Sequence, residues 1–442
     1  MSTINSKNVQ VGTSGVAAQN FTLYQPNTPD GTVRLGVGNS GATTGDVVTV
    51  NSAGVTVTGT LTATTLSGSL GAATATSLTV NGNNISAVNS LGFRNRIING
   101  DMSIDQRNAG TSVATSTATT LVYTIDRFGY YVTATSKFTM QQNAGSVTPP
   151  AGFTNYLGMT STSAYSVSST DELGVLQPVE GFNVSDLAWG TASAQSVTLS
   201  FWVRSSLTGT FGGTLRNAGA SRSYPFTFTI SASNTWEQKT VTVAGDTSGT
   251  WVTNNGVGLY LTFSMGAGST KAGTAGSWQS ANFISATGAT NMVGTNGATF
   301  YITGVQIEAG SVATPFERRA YGQELVLCLR YFWKLYSSGT TAPISSGNAE
   351  NTTRGYINLT LPQPMRTQPT CSISSLTHLA LRGGGSNVTC TAGSFIASVA
   401  AAMATIIGGE FDVGSSTSAS TGGCVKMCFV NAAGWIAASA EL

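Results

Sequence analysis

The chain carries very little charge. Asp, Glu, Lys and Arg make up only 9% of its 442 residues, where soluble proteins average roughly 25%, and His378 is its single histidine. Enzymes transfer protons and bind metals mainly through histidine and carboxylates, so this composition favours a structural or binding protein. Ser, Thr, Asn and 53 Gly replace the charges, in short alternating runs typical of β-strands and tight turns. We expect a mainly β protein without enzymatic activity, cofactor or metal.

The bulk composition predicts a folded chain of several domains. Hydrophobic residues make up 40% of the chain and its net charge is +2, which is typical of globular proteins. A nearly neutral chain offers no basic surface for nucleic acid or an anionic membrane. No signal peptide and no apolar run of membrane-spanning length is present. We therefore expect cytoplasmic synthesis, no membrane insertion, no nucleic-acid partner and five reduced cysteines.

A segment without charge or proline extends from Val47 to Phe93. Apolar residues alternate with threonine around Val55 and Val57, which is the period of a β-strand. A single chain has too little apolar surface here for a stable fold, so we expect a neck over residues 51–92 in which three chains wind together. Before it, residues 20–35 predict two strands around a Pro-Asp-Gly turn, within an N-terminal anchor domain of residues 1–50.

Strand patterns recur at even spacing after the neck. They cover residues 196–204, 224–232, 239–244, 257–265 and 299–306. Such spacing predicts an antiparallel sandwich, and we expect a jelly-roll domain over residues 93–318.

One helix is predicted over residues 319–337. Tyr321, Leu325, Cys328 and Phe332 recur at helical spacing, and other apolar residues cover more than one helix face. We expect this helix to be buried, within its domain or against the same helix of neighbouring chains. Residues 338–442 return to strand patterns and predict a distal β-domain. The whole is then an elongated trimeric fibre: N-terminal β anchor, β-rich neck, jelly-roll β-sandwich, one buried helix and C-terminal β-domain.

Several motifs resemble bacteriophage tail fibres and related virion structural proteins. They are LGFRNRIINGDMSIDQRNAG at 91–110, YTIDRFG at 123–129, TGVQIE at 303–308, ATPFERR at 313–319 and LPQPMRTQP at 361–369. Residues 8–50 are similar to N-terminal segments of phage fibres. The resemblance implies a virion protein, assembled in the host bacterium, whose N-terminal segment contacts other virion proteins of the tail or capsid.

The middle of the chain also resembles a jelly-roll carbohydrate-binding module. The similar segments are SFWVRSS at 200–206, TWE at 235–237 and TGVQIEAG at 303–310. The resemblance implies a sugar-binding fold, although many such sandwiches are only scaffolds. Host surface polysaccharide is therefore the expected external partner.

The seven tryptophans supply the candidate glycan contacts, because the apolar face of a sugar stacks on an indole ring. Trp278 and Trp251 occupy loops, where binding residues concentrate. In the distal domain, Trp435 and Arg382, which precedes three glycines, are further candidates. Trp202, inside an alternating strand, and Trp236, at the start of a strand, are expected in the core.

The densest charged cluster comprises Asp105, Arg107, Asp126 and Arg127. In so uncharged a chain we expect these residues to be partly buried, paired with one another and structural. The preceding Asn99-Gly100-Asp101 predicts a tight turn with positive φ at Asn and Gly.

Three functions remain open. A homotrimeric tail fibre that adheres to host glycans is favoured. The alternative is a head-decorating or collar fibre that stabilises the capsid, and the third is a polysaccharide depolymerase. Cleavage would need two carboxylates flanking the glycosidic bond. The nearest pairs, Asp171 with Glu172 and Glu410 with Asp412, are expected in solvated turns, and His378 in an ordinary strand.

Overall fold

The computed structural model describes most of the chain after residue 93. The described residues are 94–117, 120–339, 341, 343–397 and 405–442, with short segments at 8–11, 21–24, 32–37, 46–51, 54–57, 78–80 and 83–85. The chain divides into two compact units, Met1–Ala75 and Thr76–Leu442. Thirty β-strands and one α-helix lie in the described residues, which confirms the prediction of a mainly β protein.

The described strands of the first unit form one antiparallel sheet. They are β1 (Asn8–Val11), β2 (Phe21–Tyr24), β3 (Val33–Val37), β4 (Asp46–Asn51) and β5 (Gly54–Val57), and they neighbour one another in chain order. The predicted strand pair within residues 20–35 is confirmed, because β2 pairs with β3. β5 pairs with β4, so residues that the sequence assigns to the neck belong to this sheet.

One face of this sheet is apolar. Direct cross-strand pairs join Leu23 to Leu35, Leu35 to Val48, Val48 to Val57, Val33 to Val50 and Val50 to Val55. Because side chains two residues apart share a face, all seven aliphatic residues lie on the same side. Leu23, Val33, Val50 and Val55 are 45%, 48%, 43% and 65% exposed. The sheet therefore presents an aliphatic surface, which we name the N-terminal apolar face.

Little of the predicted neck is described. After β5, two strands, β6 (Leu78–Val80) and β7 (Asn83–Ile85), pair as a short hairpin. Residues 58–77, 81–82 and 86–93 lie outside the described residues, so the winding of three chains over this segment stays a prediction.

Two six-stranded antiparallel sheets form the sandwich. The first, in the order β16-β15-β18-β13-β10-β9, contains β9 (Val122–Ile125), β10 (Phe128–Val132), β13 (Glu172–Glu180), β15 (Gly209–Arg216), β16 (Ser223–Ile230) and β18 (Val257–Ala267). The second, in the order β17-β14-β21-β12-β11-β8, contains β8 (Val113–Ala114), β11 (Phe138–Gln142), β12 (Leu157–Ser161), β14 (Val197–Ser205), β17 (Glu237–Val243) and β21 (Thr299–Ala309). A parallel pair, β19 (Ala272–Gly273) and β20 (Ser285–Ala286), lies in the connection after β18.

The sandwich core is aromatic. Phe201, Phe263 and Phe300 are at most 1% exposed, and the rings of Phe201 and Phe263 meet edge to face with centroids 5.0 Å apart. Each of the five strand patterns predicted in this region corresponds to an observed strand. In each strand, apolar side chains alternate with outward-facing ones. The apolar side chains fill the space between the two sheets.

The helix is shorter than predicted. α1 spans Tyr321–Leu329, and the apolar residues after it form β22 (Phe332–Tyr336). β22 pairs along its whole length with β30 (Trp435–Ser439), and this pairing overrides the helical pattern of the sequence. Only one face of α1 is buried. Tyr321 and Val326 on the helix are 63% and 44% exposed in the single chain, so burial of α1 within its domain is partial. Burial against the same helix of neighbouring chains stays a prediction.

The C-terminal residues return to β-structure, as predicted. Six strands close a barrel in the order β23-β24-β28-β27-β26-β29, and they are β23 (Pro343–Asn351), β24 (Arg354–Thr360), β26 (Leu379–Arg382), β27 (Val388–Ala397), β28 (Ile406–Val413) and β29 (Cys424–Phe429). β25 (Thr370–Ile373) joins β30 and β22 in a three-stranded sheet. Closure pairs every edge of the barrel, which a chain rich in β-structure needs to avoid promiscuous pairing.

The charged cluster pairs with the C-terminus rather than with itself. Arg127 is 1% exposed, and its guanidinium binds the Glu441 carboxylate and the Pro178 carbonyl, the latter at 2.6 Å. Arg107 binds the other Glu441 oxygen at 2.5 Å. Asp105 and Asp126 instead accept hydrogen bonds from nearby groups, Asp105 from main-chain N–H groups and Asp126 from Gln106. The cluster is partly buried as predicted, with Asp126 and Arg127 buried and Asp105 and Arg107 half-buried. The expected mutual pairing is wrong, and the structural role of the cluster stays a prediction.

A second buried network holds the phage-like motifs together. The main-chain N–H of Asn95 donates to Glu317 at 2.7 Å, and the Arg319 guanidinium donates to the carbonyl of Ile97 and to Glu324. Segments more than 200 residues apart are thereby joined. Asn99 adopts a positive φ of 59°, as predicted.

Gly100 does not adopt the positive φ predicted for it. A β-carbon at this position would lie 2.2 Å from the Val305 carbonyl oxygen, so close backbone approach explains the glycine.

We predict that Glu441→Gln lowers the free energy of unfolding by about 3 kcal/mol, because it leaves two guanidiniums, one of them fully buried, without their carboxylate. Urea denaturation followed by near-ultraviolet circular dichroism measures the loss. The matched control is Glu410→Gln, whose side chain is 47% exposed and which should keep the wild-type midpoint. Equal midpoints for both variants would contradict the structural role of Glu441.

A second prediction concerns pH. Burial raises the pKa of the Asp126 carboxyl from its usual 3.8 to about 6, against the opposing effects of Arg107 and Gln106. The folded state therefore holds this proton more tightly than the unfolded state does. The resulting stabilisation is complete below pH 3.8 and is lost as pH rises through 6, by about 2 to 3 kcal/mol.

Urea midpoints measured between pH 4 and pH 7 test this contribution. Asp126→Asn should flatten the decline, whereas Asp186→Asn, at an exposed carboxylate, should retain it. Identical pH profiles for wild type and Asp126→Asn would refute the assignment.

Candidate functional site

The structure brings Trp251 and Trp278 together with Trp189. The ring centroids of Trp189 and Trp251 are 4.7 Å apart, and both lie 5.3 Å from the Trp278 centroid, all edge to face. Tyr224 adds a fourth ring, 5.3 Å from Trp278. We name these residues the tryptophan cluster. It packs against the sandwich core, and Trp251 and Trp278 are half-buried.

A buried ion pair lies in the loops that carry this cluster. Asp246, 1% exposed, binds the Arg222 guanidinium through both oxygens, at 2.8 and 2.6 Å. Its main-chain carbonyl accepts from Gly190, next to Trp189. The loops are thus held rigidly, which is the condition for a preformed site.

The indole N–H groups of the tryptophan cluster are all used within the protein. Trp189 donates to the Gln195 carbonyl, Trp251 to that of Ser248 and Trp278 to that of Ala244, at 2.7, 3.1 and 2.7 Å. Only ring faces and edges are left for a ligand. Packing at the end of the sandwich is what the geometry shows, and glycan contact by Trp251 and Trp278 stays a prediction.

The distal candidates lie in different sheets. Trp435 is half-buried in β30, its main-chain N–H donates to Ser374, and the Lys334 ammonium lies 4.7 Å from its ring centroid. Arg382 is exposed at the end of β26 and donates to the Gly385 carbonyl at 2.9 Å. The structure therefore supplies no shared site for the two, and their contact with a glycan stays a prediction.

Trp202 is the residue that sequence reasoning misplaced. Its neighbours Phe201 and Val203 are fully buried between the sheets, so Trp202 points to the outer face of the second sheet, where it is half-exposed. The alternation in SFWVR contained this signal, because a residue between two core positions of a strand faces away from the core. The prediction of a core Trp202 is wrong.

A groove opens beside Trp202, and we name it the Trp202 groove. It measures ≈ 590 Å³ and is lined by Phe153, Trp202, Gln238, Thr240, Ala313, Thr314, Pro315, Phe316 and Arg318. Phe153 and Phe316 meet edge to face with centroids 5.2 Å apart, and the Arg318 guanidinium lies 4.6 Å from the Phe153 centroid. The walls are therefore aromatic with one cation.

Gly304 permits this arrangement. Its φ is +60°, and a β-carbon there would lie 2.6 Å from the Phe153 ring and 3.1 Å from the Trp202 ring. Polar groups complete the groove: Gln238 is directly opposite Trp202 on β17, and both Gln238 and Thr240 are exposed. Within the described part of the chain, the Trp202 N–H, the Gln238 amide and the Thr240 hydroxyl have no protein hydrogen-bond partner, so they are available to a ligand.

A smaller polar cavity of ≈ 190 Å³ adjoins this groove, and we name it the Tyr321 cavity. Its lining comprises Asn95, Gly100, Asp101, Ser103, Thr154, Phe316, Glu317, Arg319, Tyr321 and Glu324. Phe316 lines both spaces. A third, apolar groove of ≈ 580 Å³ follows α1 past Val326 and Leu327.

The two carboxylate pairs considered for catalysis, Asp171 with Glu172 and Glu410 with Asp412, form hydrogen bonds or salt bridges with other protein groups. Burial acts to raise the pKa of Asp171, but hydrogen bonds from Tyr165, Ser168 and Thr133 outweigh it and hold that pKa below its usual value. Glu172 pairs with Lys271. These two residues are 8% exposed each, so the expectation of a solvated turn is wrong for them.

Glu410 and Asp412 lie on one face of strand β28, so the expected turn is wrong here too. Both bind Arg354, at 2.8 and 2.5 Å. His378 ends a short 3-10 helix, Leu376–His378, rather than lying in a strand, and its Nδ1 is 2.9 Å from the Ser374 hydroxyl. Among the residues that the structure describes, no three His, Cys, Asp or Glu side chains are grouped for metal binding, and no helix has the length and hydropathy to cross a membrane.

Comparison with known proteins gives distant structural likenesses. No family model matches the chain, and no curated protein matches it significantly. It is similar to the tailspike protein 4 enzymatically active domain of bacteriophage CBA120, with 10% identity, TM-score 0.26, and coverage of 42% of this chain and 20% of that one. It is also similar to a family 11 carbohydrate-binding module from Clostridium thermocellum, with 10% identity, TM-score 0.23, and coverage of 46% and 97%.

An exo-β-agarase is a third likeness, with 8% identity, TM-score 0.26, and coverage of 68% of this chain and 49% of that one. Carbohydrate-binding β-sandwiches thus occur among the solved structures that this chain resembles. At these TM-scores none of the likenesses carries an argument about function, which has to come from the residues themselves.

Proposed function

We propose that this chain is a bacteriophage tail-fibre protein that attaches to the virion through its N-terminal segment and adheres to host-cell surface glycans. The Trp202 groove is the observation that carries the adhesive part of the proposal. The phage-like motifs support the fibre part.

The groove has the chemistry that a sugar requires. Indole and phenyl rings complement the apolar faces of a pyranose, while the free N–H of Trp202 and the exposed Gln238 and Thr240 can bond to its hydroxyls. Its volume falls within the range of roughly 300 to 1,000 Å³ typical of small-ligand sites. The sandwich core behind Trp202 fixes the position of the groove floor.

Three chains per fibre complete the proposal. The N-terminal apolar face exposes Leu23, Val33, Val50 and Val55 on one side of a thin sheet, and exposed contiguous apolar surface of this kind marks a protein contact. The uncharged, threonine-rich segment of residues 51–92 also needs partner strands, because an isolated strand pair is at best marginally stable in water. Linked copies of a weak glycan site would raise avidity by about 10² to 10⁴ through effective concentration.

The chain acts in this proposal as an adhesin and not as an enzyme. A head-decorating or collar fibre that stabilises the capsid is the alternative, and cross-linking of residues 1–50 to their neighbour in the virion would identify the attachment point. A depolymerase is the third candidate, and shortening of host polysaccharide by the purified protein would favour it.

We predict that the purified protein binds an array of bacterial surface polysaccharides and blocks phage adsorption, and that Trp202→Ala weakens binding about tenfold. The control is Tyr356→Ala, which removes a 44% exposed aromatic ring on barrel strand β24 and should bind as wild type does. Trp251→Ala and Trp278→Ala test the tryptophan cluster in parallel.

Two outcomes would count against this proposal. A protein that binds no polysaccharide and leaves adsorption unchanged at saturation is not an adhesin. Loss of binding in Trp251→Ala or Trp278→Ala, with Trp202→Ala unaffected, would move the site to the tryptophan cluster.

A separate prediction concerns the trimer. Sedimentation velocity should show a trimer for the wild type and a monomer for Val55→Asp, because a carboxylate on the N-terminal apolar face would be buried without a partner. Thr56→Asp is the matched control, since the adjacent side chain is exposed on the opposite face of β5. A monomeric wild-type protein would contradict the trimer.

A further inference from the structure

We infer that the ligand is a linear oligosaccharide whose chain runs from the Trp202 groove into the Tyr321 cavity and places a neutral sugar there. This inference rests on the proposed function, because it extends the same glycan site along the surface of the sandwich.

Two segments of the chain join the two spaces. Phe153 lines the Trp202 groove and the next residue, Thr154, lines the Tyr321 cavity. Phe316 lines both, and Glu317, which follows it, lines the cavity. Consecutive residues are about 3.8 Å apart at Cα, so the two spaces are direct neighbours along both segments. Because the Phe316 ring lines both spaces, the proposal has a ligand pass from the groove to the cavity beside this ring with its next unit.

The cavity is too small to be a site alone. At ≈ 190 Å³ it falls below the roughly 300 Å³ at which small-ligand sites begin. Its lining is nevertheless that of a sugar subsite. The Tyr321 ring is 63% exposed at its wall, and Ser103, Thr154 and Asp101 supply hydroxyl and carboxylate groups. The cavity therefore suits one unit of a longer ligand.

The charge of the Tyr321 cavity lining favours a neutral sugar over an anionic one. Three carboxylates, Asp101, Glu317 and Glu324, line the cavity with one guanidinium, that of Arg319, which pairs with Glu317 and Glu324. An anionic sugar would meet net negative charge here and is disfavoured. The groove beside it carries the cation of Arg318 instead. The neutral unit of the chain is thus assigned to the cavity end.

The network beneath the cavity keeps it in shape. Glu317 accepts from the main-chain N–H groups of Arg94 and Asn95, at 3.2 and 2.7 Å, and Glu324 accepts from that of Asn99. These carboxylates are therefore wall groups with fixed orientation. Tyr321, the exposed ring, is the side chain through which the cavity can be altered without breaking the network.

Isothermal titration calorimetry with a size ladder tests the inference. The probes are neutral oligosaccharides of one to six units, prepared by partial hydrolysis of a polysaccharide that retains the protein on the array. Affinity should rise about tenfold or more as the chain becomes long enough to enter the cavity. Tyr321→Ala should remove this gain and leave the affinity of the shortest binding oligosaccharide unchanged, whereas Tyr356→Ala should reproduce the wild-type ladder.

Each of the following outcomes would overturn the inference or the proposed function. Affinity that is independent of length overturns the inference and leaves the glycan function intact, because a terminal sugar then suffices. Equal weakening of all lengths by Tyr321→Ala overturns it as well. If Tyr321→Ala changes the sedimentation coefficient and leaves the ladder intact, the surface around Tyr321 is a contact between chains. If no oligosaccharide and no polysaccharide binds, the proposed function itself fails.

Discussion

The buried guanidinium of Arg127 joins the sandwich to the last residues of the chain. It is 1% exposed, lies 3.6 Å from the Tyr331 ring centroid, and is neutralised by Glu441. A charge in this position is tolerable only with its partner, so the sandwich and the C-terminal β-domain are held together by an interaction that one substitution can break. The helix lies between them, and its start carries Tyr321 at the wall of the smaller cavity.

The motifs that resemble phage fibres act through the same kind of constraint. Asn95, Glu317 and Arg319 form hydrogen bonds in the interior and hold residues 313–319 against the sandwich. Pro315, Phe316 and Arg318 in that segment then form one side of the Trp202 groove. The interior residues of these phage-like motifs therefore act as supports. The side chains that face the groove from the sheet, Trp202, Gln238 and Thr240, lie outside the phage-like motifs.

Local pattern predicted the strands well, because two-residue alternation is a property of the strand itself and survives in any sandwich. It could not place Glu441 beside Arg127, since the two are 314 residues apart and nothing near either residue signals the other. It overextended the helix, because Phe332 to Tyr336 suits a helix face as well as a strand until β30 is available to pair with it. The alternation in SFWVR indicated that Trp202 faces outward, but the prediction followed the usual burial of tryptophan instead.

Among the five tryptophans of the sandwich, indole hydrogen bonding sets Trp202 apart from the other four. Trp189 and Trp251 donate to main-chain carbonyls of their own loops, and Trp278 donates to the Ala244 carbonyl at the end of β17. Each such bond fixes the ring at one end of the core. Trp236 does the same with Thr148. Trp202 is held by its strand and by Gly304 instead, which leaves its N–H facing solvent beside Gln238. A ring that is rigid through packing while its polar atom is unused can bind a sugar without losing an internal bond, and for this reason the proposed glycan site is at Trp202.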